Sequence, residues 1–334
     1  MFRKQKAKKY SRFKSSVFEK QIPPEQYALL QEKLYKFNGF YVQPRTLRKY
    51  PTKSAAHALG YIGEVDEKII AKDPYYQMGD YIGISGIEQS YEKELRGKRG
   101  VKIVLVDVHN REKGSFEDGK YDSVSVAGED IMLTLDARLQ AYAEALMQNK
   151  AGGVAAIEPQ TGEILALLSS PSYDPNLMVG KARNKNYALL ATDPYKSLFN
   201  RAMMAYYPPG STFKLASALS AVNEHIIGPN TTYPHSFVVG SKSVKCHPHP
   251  TIALEGSIQY SCNPYFCNVF RSFVDNKKYG TSENGYRVWR EYIMSFGVGK
   301  KIGVDMPHEL PGLLPSPEYY DKIYGKGRWK ASTI

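Results

Sequence analysis

The sequence predicts an α+β fold in two parts. Residues 1–125 read as a mixed helix–strand domain, and residues 126–334 as an antiparallel sheet flanked by helices. Three observations carry this. The polar stretch from Asn110 to Tyr121 interrupts the apolar pattern, which differs on its two sides. Beyond it come a short apolar run, a helical period, two apolar runs around a turn, and a long apolar helix. The chain also has 334 residues, 42% hydrophobic and 23% charged, enough for about two domains with cores of their own.

Each element has a local reason. A helix is expected near Pro24–Gln31. The glycine-punctuated stretch from Gly79 to Glu88 leads into a helix from Gln89 to Leu95. Val101–Val108 has charged flanks and a β-branched middle, which fits a strand. Ile131–Leu135 reads as a short strand, and Asp136 can cap a helix from Ala137 to Asn149. Gly153–Glu158 and Glu163–Ser169 flank the turn Pro159–Gly162, a hairpin whose strands look buried on both faces. There is no internal repeat and no low-complexity tract.

Composition narrows the function. Net charge is +12, which suits nucleic acid, anionic lipid or an anionic cell-wall polymer. Nothing in the chain resembles a groove-reading helix or a stacking sheet, so no nucleic acid is expected as a partner. The basic residues crowding the first twenty positions, Arg3 to Lys20, read as a solvated face. No apolar run approaches the roughly 20 residues of a membrane helix, and no apolar core of a signal peptide follows the basic N-terminus. The chain is therefore expected either to be cytosolic or to lack its beginning; Arg328–Ile334 likewise stops without a cap or tail. Three cysteines, Cys246, Cys262 and Cys267, form no disulfide framework.

The chemistry concentrates in Tyr206-Tyr207-Pro208-Pro209-Gly210-Ser211-Thr212-Phe213-Lys214. Residues three apart on a helix share a face. Ser211 thus meets Lys214 in the first turn, where free N–H groups and the helix dipole favour developing negative charge. The helix behind them, Leu215 to Val222, is apolar on nearly every side and is expected to be buried. Burial disfavours the charged lysine, and a neutral amine can take the serine proton. The spacing alone is a poor signal, since Ser11-Arg12-Phe13-Lys14 repeats it in a basic run.

A second motif follows at Ser261-Cys262-Asn263. Its hydroxyl can relay a proton and its amide can orient a carbonyl. Ser282-Glu283-Asn284 repeats the pattern in a polar stretch typical of a loop. Ser261 differs by aromatic and apolar flanks, which suggest a turn held against a core. Cys246-His247-Pro248-His249, with Cys262 and Cys267 beyond it, has the density of a zinc site, with Cys246, His249 and Cys262 as ligands; the alternative is a polar loop beside two buried cysteines.

Taken together, these motifs resemble the penicillin-binding proteins. Asn200-Arg201-Ala202 with Tyr207 to Lys214 is similar to the nucleophile segment of that family, and Gly153 to Asn176 to its first hairpin. Leu59-Gly60-Tyr61-Ile62-Gly63-Glu64-Val65, Gly83 to Glu88, Tyr91-Glu92, Leu95-Arg96-Gly97 and Gly100 resemble the non-catalytic pedestal of class B members, most of all the elongation transpeptidases of the penicillin-binding protein 2 type. The resemblance covers nearly the whole chain. It implies a transpeptidase domain of the serine β-lactamase-like fold after a pedestal, an inner-membrane anchor outside this sequence, and a periplasmic catalytic domain. It implies D-Ala-D-Ala stem peptides and β-lactams as ligands, a SEDS-type glycan polymerase as partner, and no required cofactor. Ser211, Lys214, Ser261 and Asn263 would be the catalytic residues. The elongation enzymes also carry metal-ligand residues between their first two motifs. The family's third motif, Lys-Thr/Ser-Gly, does not occur here. The expectation is a piece ending before that motif, with low activity by itself; the rivals are a β-lactam sensor or inactive scaffold of the same fold, and a serine β-lactamase.

Overall fold

The computed structural model describes residues 17–37, 39–42, 46–108, 112–240 and 242–334. The Ser11–Lys14 repeat and most of the basic N-terminal run lie outside these residues. The chain divides into two units, Met1–Met203 with Asp305–Pro307, and Met204–Val304 with His308–Ile334.

In the first unit, helix α1 is Pro24–Gln31, as the sequence predicts. Helix α2 (Ala56–Leu59) precedes β1 (Ile62–Glu64), α3 (Glu67–Lys72) and β2 (Tyr81–Gly83). Strands β1 and β2 pair antiparallel, Ile62 opposite Gly83. The glycines here permit close backbone approach. A Cβ on Gly60, at φ +81°, would lie 1.8 Å from the Ser85 carbonyl oxygen, which no side chain tolerates. On α2, the buried His57 donates through Nε2 to the Ser197 carbonyl at 2.8 Å and meets Tyr173 edge-on at 5.3 Å.

The helix expected from Gln89 to Leu95 is two short ones, α4 (Gly86–Ser90) and α5 (Glu92–Arg96), broken at Tyr91 (φ −109°, ψ 27°). The Glu92 carboxylate accepts from the Gly83 N–H at 2.7 Å and the Tyr76 hydroxyl at 2.8 Å, which ties the start of α5 to β2 and favours the break. The expected strand Val101–Val108 pairs as β3 (Val104–Val106) with β4 (Glu112–Ser115), while Val101 makes an isolated antiparallel bridge to Ser123. Its register slips at Leu105/Val106, and the Ile103 N–H is taken by the Asp122 carboxylate at 2.9 Å instead of a ladder partner.

Asp136 caps α6 (Ala137–Leu146) by accepting from the N–H groups of Arg138 and Leu139. These bonds hold its carboxyl below the usual range. The helix stops short of Asn149, which sits in the left-handed region at φ +58°. Strands β5 (Gly152–Ile157) and β6 (Ile164–Ser170) form the expected hairpin. Two expectations fail beside it. Ile131–Leu135 is not a strand: Asp136 N–H reaches the Leu165 carbonyl, but the next position on that edge is filled by a side chain. Gln140, buried on α6, donates to the Leu167 carbonyl at 3.1 Å and accepts from its N–H at 2.9 Å, as a peptide unit would. Nor are both strands buried. Residues of β6 are covered by α6, whereas β5 alternates half-buried and exposed positions. Helices α7 (Arg183–Ala191) and α8 (Arg201–Met204) lead the chain into the second unit.

The second unit is a helical core with a small hairpin. Helix α9 is Phe213–Asn223; β7 (Phe237–Val239) and β8 (Lys242–Val244) pair antiparallel; α10 (Leu254–Gln259), α11 (Asn263–Val274), α12 (Ser282–Ser295) and α13 (Pro317–Tyr324) follow. Ala218 and Ala221 of α9 pack into the aromatic core built from Tyr265, Phe273, Tyr286 and Trp289. The expectation that α9 is buried all round is corrected. Its small residues Ser217, Ala218, Ser220 and Ala221 face the core and admit α11 and α12 closely, while Leu215 and Leu219 point outward, 51% and 59% exposed. Ser282–Asn284 is no loop but the first turn of α12, because the Thr281 hydroxyl caps it by accepting from the Asn284 N–H.

Candidate active site

Two short motifs converge in the second unit. Gly210 adopts φ +64°, a conformation open to glycine, and lets the Pro-Pro segment turn into a 3₁₀ turn over Gly210–Thr212. Ser211 sits in that turn, ahead of the α-helix in whose first turn it was expected. Lys214 is the second residue of α9.

Ser261 is the middle of the three residues between α10 and α11. After α10, the Cys262 N–H bonds the Ser257 carbonyl at 3.0 Å and the Ser261 N–H bonds that of Ile258 at 3.1 Å. This is a Schellman ending, and Ser261 occupies its left-handed position at φ +49°. Glycine or asparagine usually stands there; a serine costs roughly 1–2 kcal/mol. Backbone strain of this kind clusters at functional sites. Cys262 then becomes the N-cap of α11, with Asn263 its first residue.

This geometry brings all four predicted catalytic positions together. Lys214 Nζ donates to Asn263 Oδ1 at 2.6 Å, to the Ser261 carbonyl at 2.7 Å and to Ser261 Oγ at 2.9 Å. Ser261 Oγ donates to Ser211 Oγ at 2.9 Å. Among the described residues, the hydrogen-bonded path from Ser211 to Lys214 runs through Ser261, not directly. Phe266 offers its ring to the ammonium, 5.8 Å from the centroid. Burial draws the Lys214 amine below the usual lysine range, against the opposing pull of Cys262 and Cys267.

A second cluster stands beside the Ser261 turn. The ligand atoms of His235, Cys246 and His249 all lie within 4.8 Å of one another, and these three could hold a metal ion. The Cys246 thiol is 3.2 Å from His249 Nε2, and His249 Nδ1 donates to the Pro250 carbonyl at 2.7 Å. Burial first, then contact with Cys262, pushes the Cys246 thiol up. Cys262 itself is buried at the N-cap of α11, and Cys267 half-buried within that helix. His235 escaped the sequence reading. It precedes Cys246 across the β7–β8 hairpin, and a hairpin between them was the signal that could have joined the two.

The family description "Penicillin-binding Protein dimerisation domain" matches residues 1–133, and "Penicillin binding protein transpeptidase domain" matches residues 152–334. The chain belongs to the penicillin-binding protein family. Among curated relatives it is similar to the peptidoglycan D,D-transpeptidases MrdA. That of Escherichia coli (strain K12) is 33% identical over 347 residues, covering 100% of this chain and 52% of the relative. That of Acinetobacter baumannii is 34% identical over 319 residues, covering 92% and 45%. A solved complex between penicillin-binding protein PBP2 and MreC from Helicobacter pylori matches with a TM-score of 0.79 and 30% identity, over 93% of this chain and 57% of that one. The chain spans about half the length of the curated relatives it matches. The α+β class read from the sequence therefore stands, as a dimerisation domain followed by a transpeptidase domain. No helix among the described residues is long and apolar enough to cross a membrane.

Proposed function

We propose that this chain carries the acylating site of a peptidoglycan D,D-transpeptidase of cell-wall elongation. Residues 1–125 would be part of the pedestal and 126–334 the N-terminal part of the transpeptidase domain. The observation that supports this most is the continuous hydrogen-bonded run from Ser211 Oγ through Ser261 Oγ to Lys214 Nζ, closed by Asn263 Oδ1.

Ser211 is the nucleophile. Its proton passes toward neutral Lys214, with Ser261 as the relay, since a hydroxyl both donates and accepts. Ser211 Oγ bonds to the penultimate D-Ala carbonyl carbon, and the oxyanion rests in part on the Ser211 backbone N–H. The carbon–nitrogen bond then breaks, and terminal D-Ala leaves with a proton delivered by Ser261. Asn263 fixes Lys214 and orients the substrate amide. An amine of a neighbouring stem peptide attacks the ester, the crosslink forms, and Ser211 recovers its proton. A β-lactam opens its ring amide on Ser211 in the same way, but its leaving nitrogen stays tethered.

The family resemblance extends this reading to a membrane-anchored protein with its catalytic domain outside the cytoplasm, working with a SEDS-type glycan polymerase. The full-length protein carrying this sequence is expected to label with fluorescent penicillin, with the adduct on the Ser211 peptide and no label on Ser211→Ala. Normal labelling of that variant sinks the assignment.

His235, Cys246 and His249 form a donor set of sulfur and imidazole that fits structural zinc, with His235 in the group where the sequence led to Cys262, which stands beside Cys246 but outside that group. The Nδ1 bond to Pro250 leaves His249 Nε2 turned toward Cys246 Sγ, 3.2 Å away, where a metal ion could take both as ligands. Zinc there would tie the two ends of the β7–β8 hairpin to the Cys246–His249 segment, and would supply no step of the reaction. Metal analysis of the purified full-length protein should return about one zinc per chain; its absence disposes of the site.

A further inference from the structure

Ser261 has to satisfy two partners at once. Its hydroxyl stands 2.9 Å from both Ser211 Oγ and Lys214 Nζ, while its carbonyl takes a third bond from the same lysine at 2.7 Å. Its backbone is held in a strained left-handed conformation at φ +49°. A side chain in that region needs support from its neighbours to keep one orientation. Lys214 supplies part of it, but from the reacting side.

The neighbour on the other side is Tyr260. It is 49% exposed, unusual for a ring that ends a helix against a core, yet its ring is not free. It stacks on His249 with centroids 5.5 Å apart and planes 25° from parallel. His249 is in turn fixed at both nitrogens, by the Pro250 carbonyl and the Cys246 thiol. The His235 ring lies 4.5 Å from that of His249, tilted by 48°. Ring contacts from His235 through His249 to Tyr260 thus run from the start of the β7–β8 hairpin to the residue before Ser261. Stacked aromatic pairs gain beyond the area they bury, which sets this contact against the strain at Ser261.

We propose that Tyr260 is a positioning residue for the acylation step, its ring clamped on His249 so that Ser261 Oγ stays within reach of both Ser211 and Lys214. This rests on the acyl-transfer reading of the site. Tyr260 touches neither nucleophile nor base; it fixes the pitch of the turn that carries the relay. Because the ring face does the work and the hydroxyl does not, phenylalanine should replace it.

The test separates binding from chemistry in the full-length protein, using a fluorescent penicillin and rapid-mixing kinetics. Tyr260→Ala is expected to lower the acylation rate constant roughly ten- to a hundred-fold, the scale of a small misplacement of a reacting group. The dissociation constant of the initial complex and the melting temperature should stay near wild type. Tyr260→Phe should restore the rate. Tyr260→Leu, which keeps bulk without an aromatic face, should fall with alanine and carries the test if the alanine variant does not fold. An unimpaired rate in Tyr260→Leu overturns the proposal. So does a phenylalanine variant as slow as leucine, or a rate loss matched by an equal loss of melting temperature. Ser211→Ala run in parallel distinguishes the two levels. If it labels, the acyl-transfer reading fails with this one; if it is silent while Tyr260→Leu acylates normally, only the clamp is wrong.

Discussion

Replacing Lys214 with alanine is expected to slow acylation by a fluorescent penicillin by roughly 10²–10⁴-fold, the usual contribution of a positioned general base. The reason lies in the network. Lys214 Nζ is the shared donor to Asn263 Oδ1, the Ser261 carbonyl and Ser261 Oγ, and Ser261 Oγ is the group that reaches Ser211. Without the amine, the Ser211 proton has no acceptor of suitable pKa at the end of its path. Stability should change little, because Ser211, Ser261 and Asn263 are solvent-exposed and water replaces the lost donor. The pH dependence adds a second reading. Burial sets the Lys214 pKa below the ordinary lysine value, so wild-type acylation should rise with pH about an apparent pKa under that value. That dependence should vanish in the variant. An alanine variant that acylates at the wild-type rate excludes Lys214 as the base and leaves the proton path unexplained.

The second large effect is loss of stability in acid through His57. Burial holds its folded-state pKa at about 4, against 6.5 when unfolded. The folded protein therefore resists protonation that the unfolded chain accepts. The stabilisation is present in full above the unfolded value and is lost as pH falls from about 6.5 toward about 4. The full effect is about 3 kcal/mol, at 1.36 kcal/mol for each pKa unit. His57→Gln can keep a donor for the Ser197 carbonyl but cannot titrate. Urea unfolding above and below that window should show a smaller acid loss in the variant than in wild type. Equal losses would mean that His57 does not titrate as its burial requires.

Much of the site was legible because its chemistry is local. Gly210 permits the turn, and three residues of separation put Ser211 and Lys214 on one side whether the turn is 3₁₀ or α. The Ser261–Asn263 spacing likewise works across a single turn. Capping was legible for the same reason: Asp136 carries its own donors' partner in sequence. Elements that depend on a remote partner were not. Ile131–Leu135 has the composition of a strand, yet the edge it would pair with is held by Gln140. The α9 helix gave no hint that its serines and alanines, not its leucines, face the core, since hydrophobicity favours the leucines and burial here is decided by how closely α11 and α12 approach.

What the sequence determined is the inventory of reacting groups and the family to which they belong, because the Ser-x-x-Lys and Ser-x-Asn motifs occur together with the pedestal segments before them. What only the tertiary structure decided is the wiring. Ser261, in the left-handed position between α10 and α11, stands between Ser211 and Lys214 and makes their contact indirect. His235 joins Cys246 and His249 beside it. A helix turn fixes distances across three residues, but it cannot say where a second helix junction will place a hydroxyl; that follows from how α9, α10 and α11 pack around a shared aromatic core.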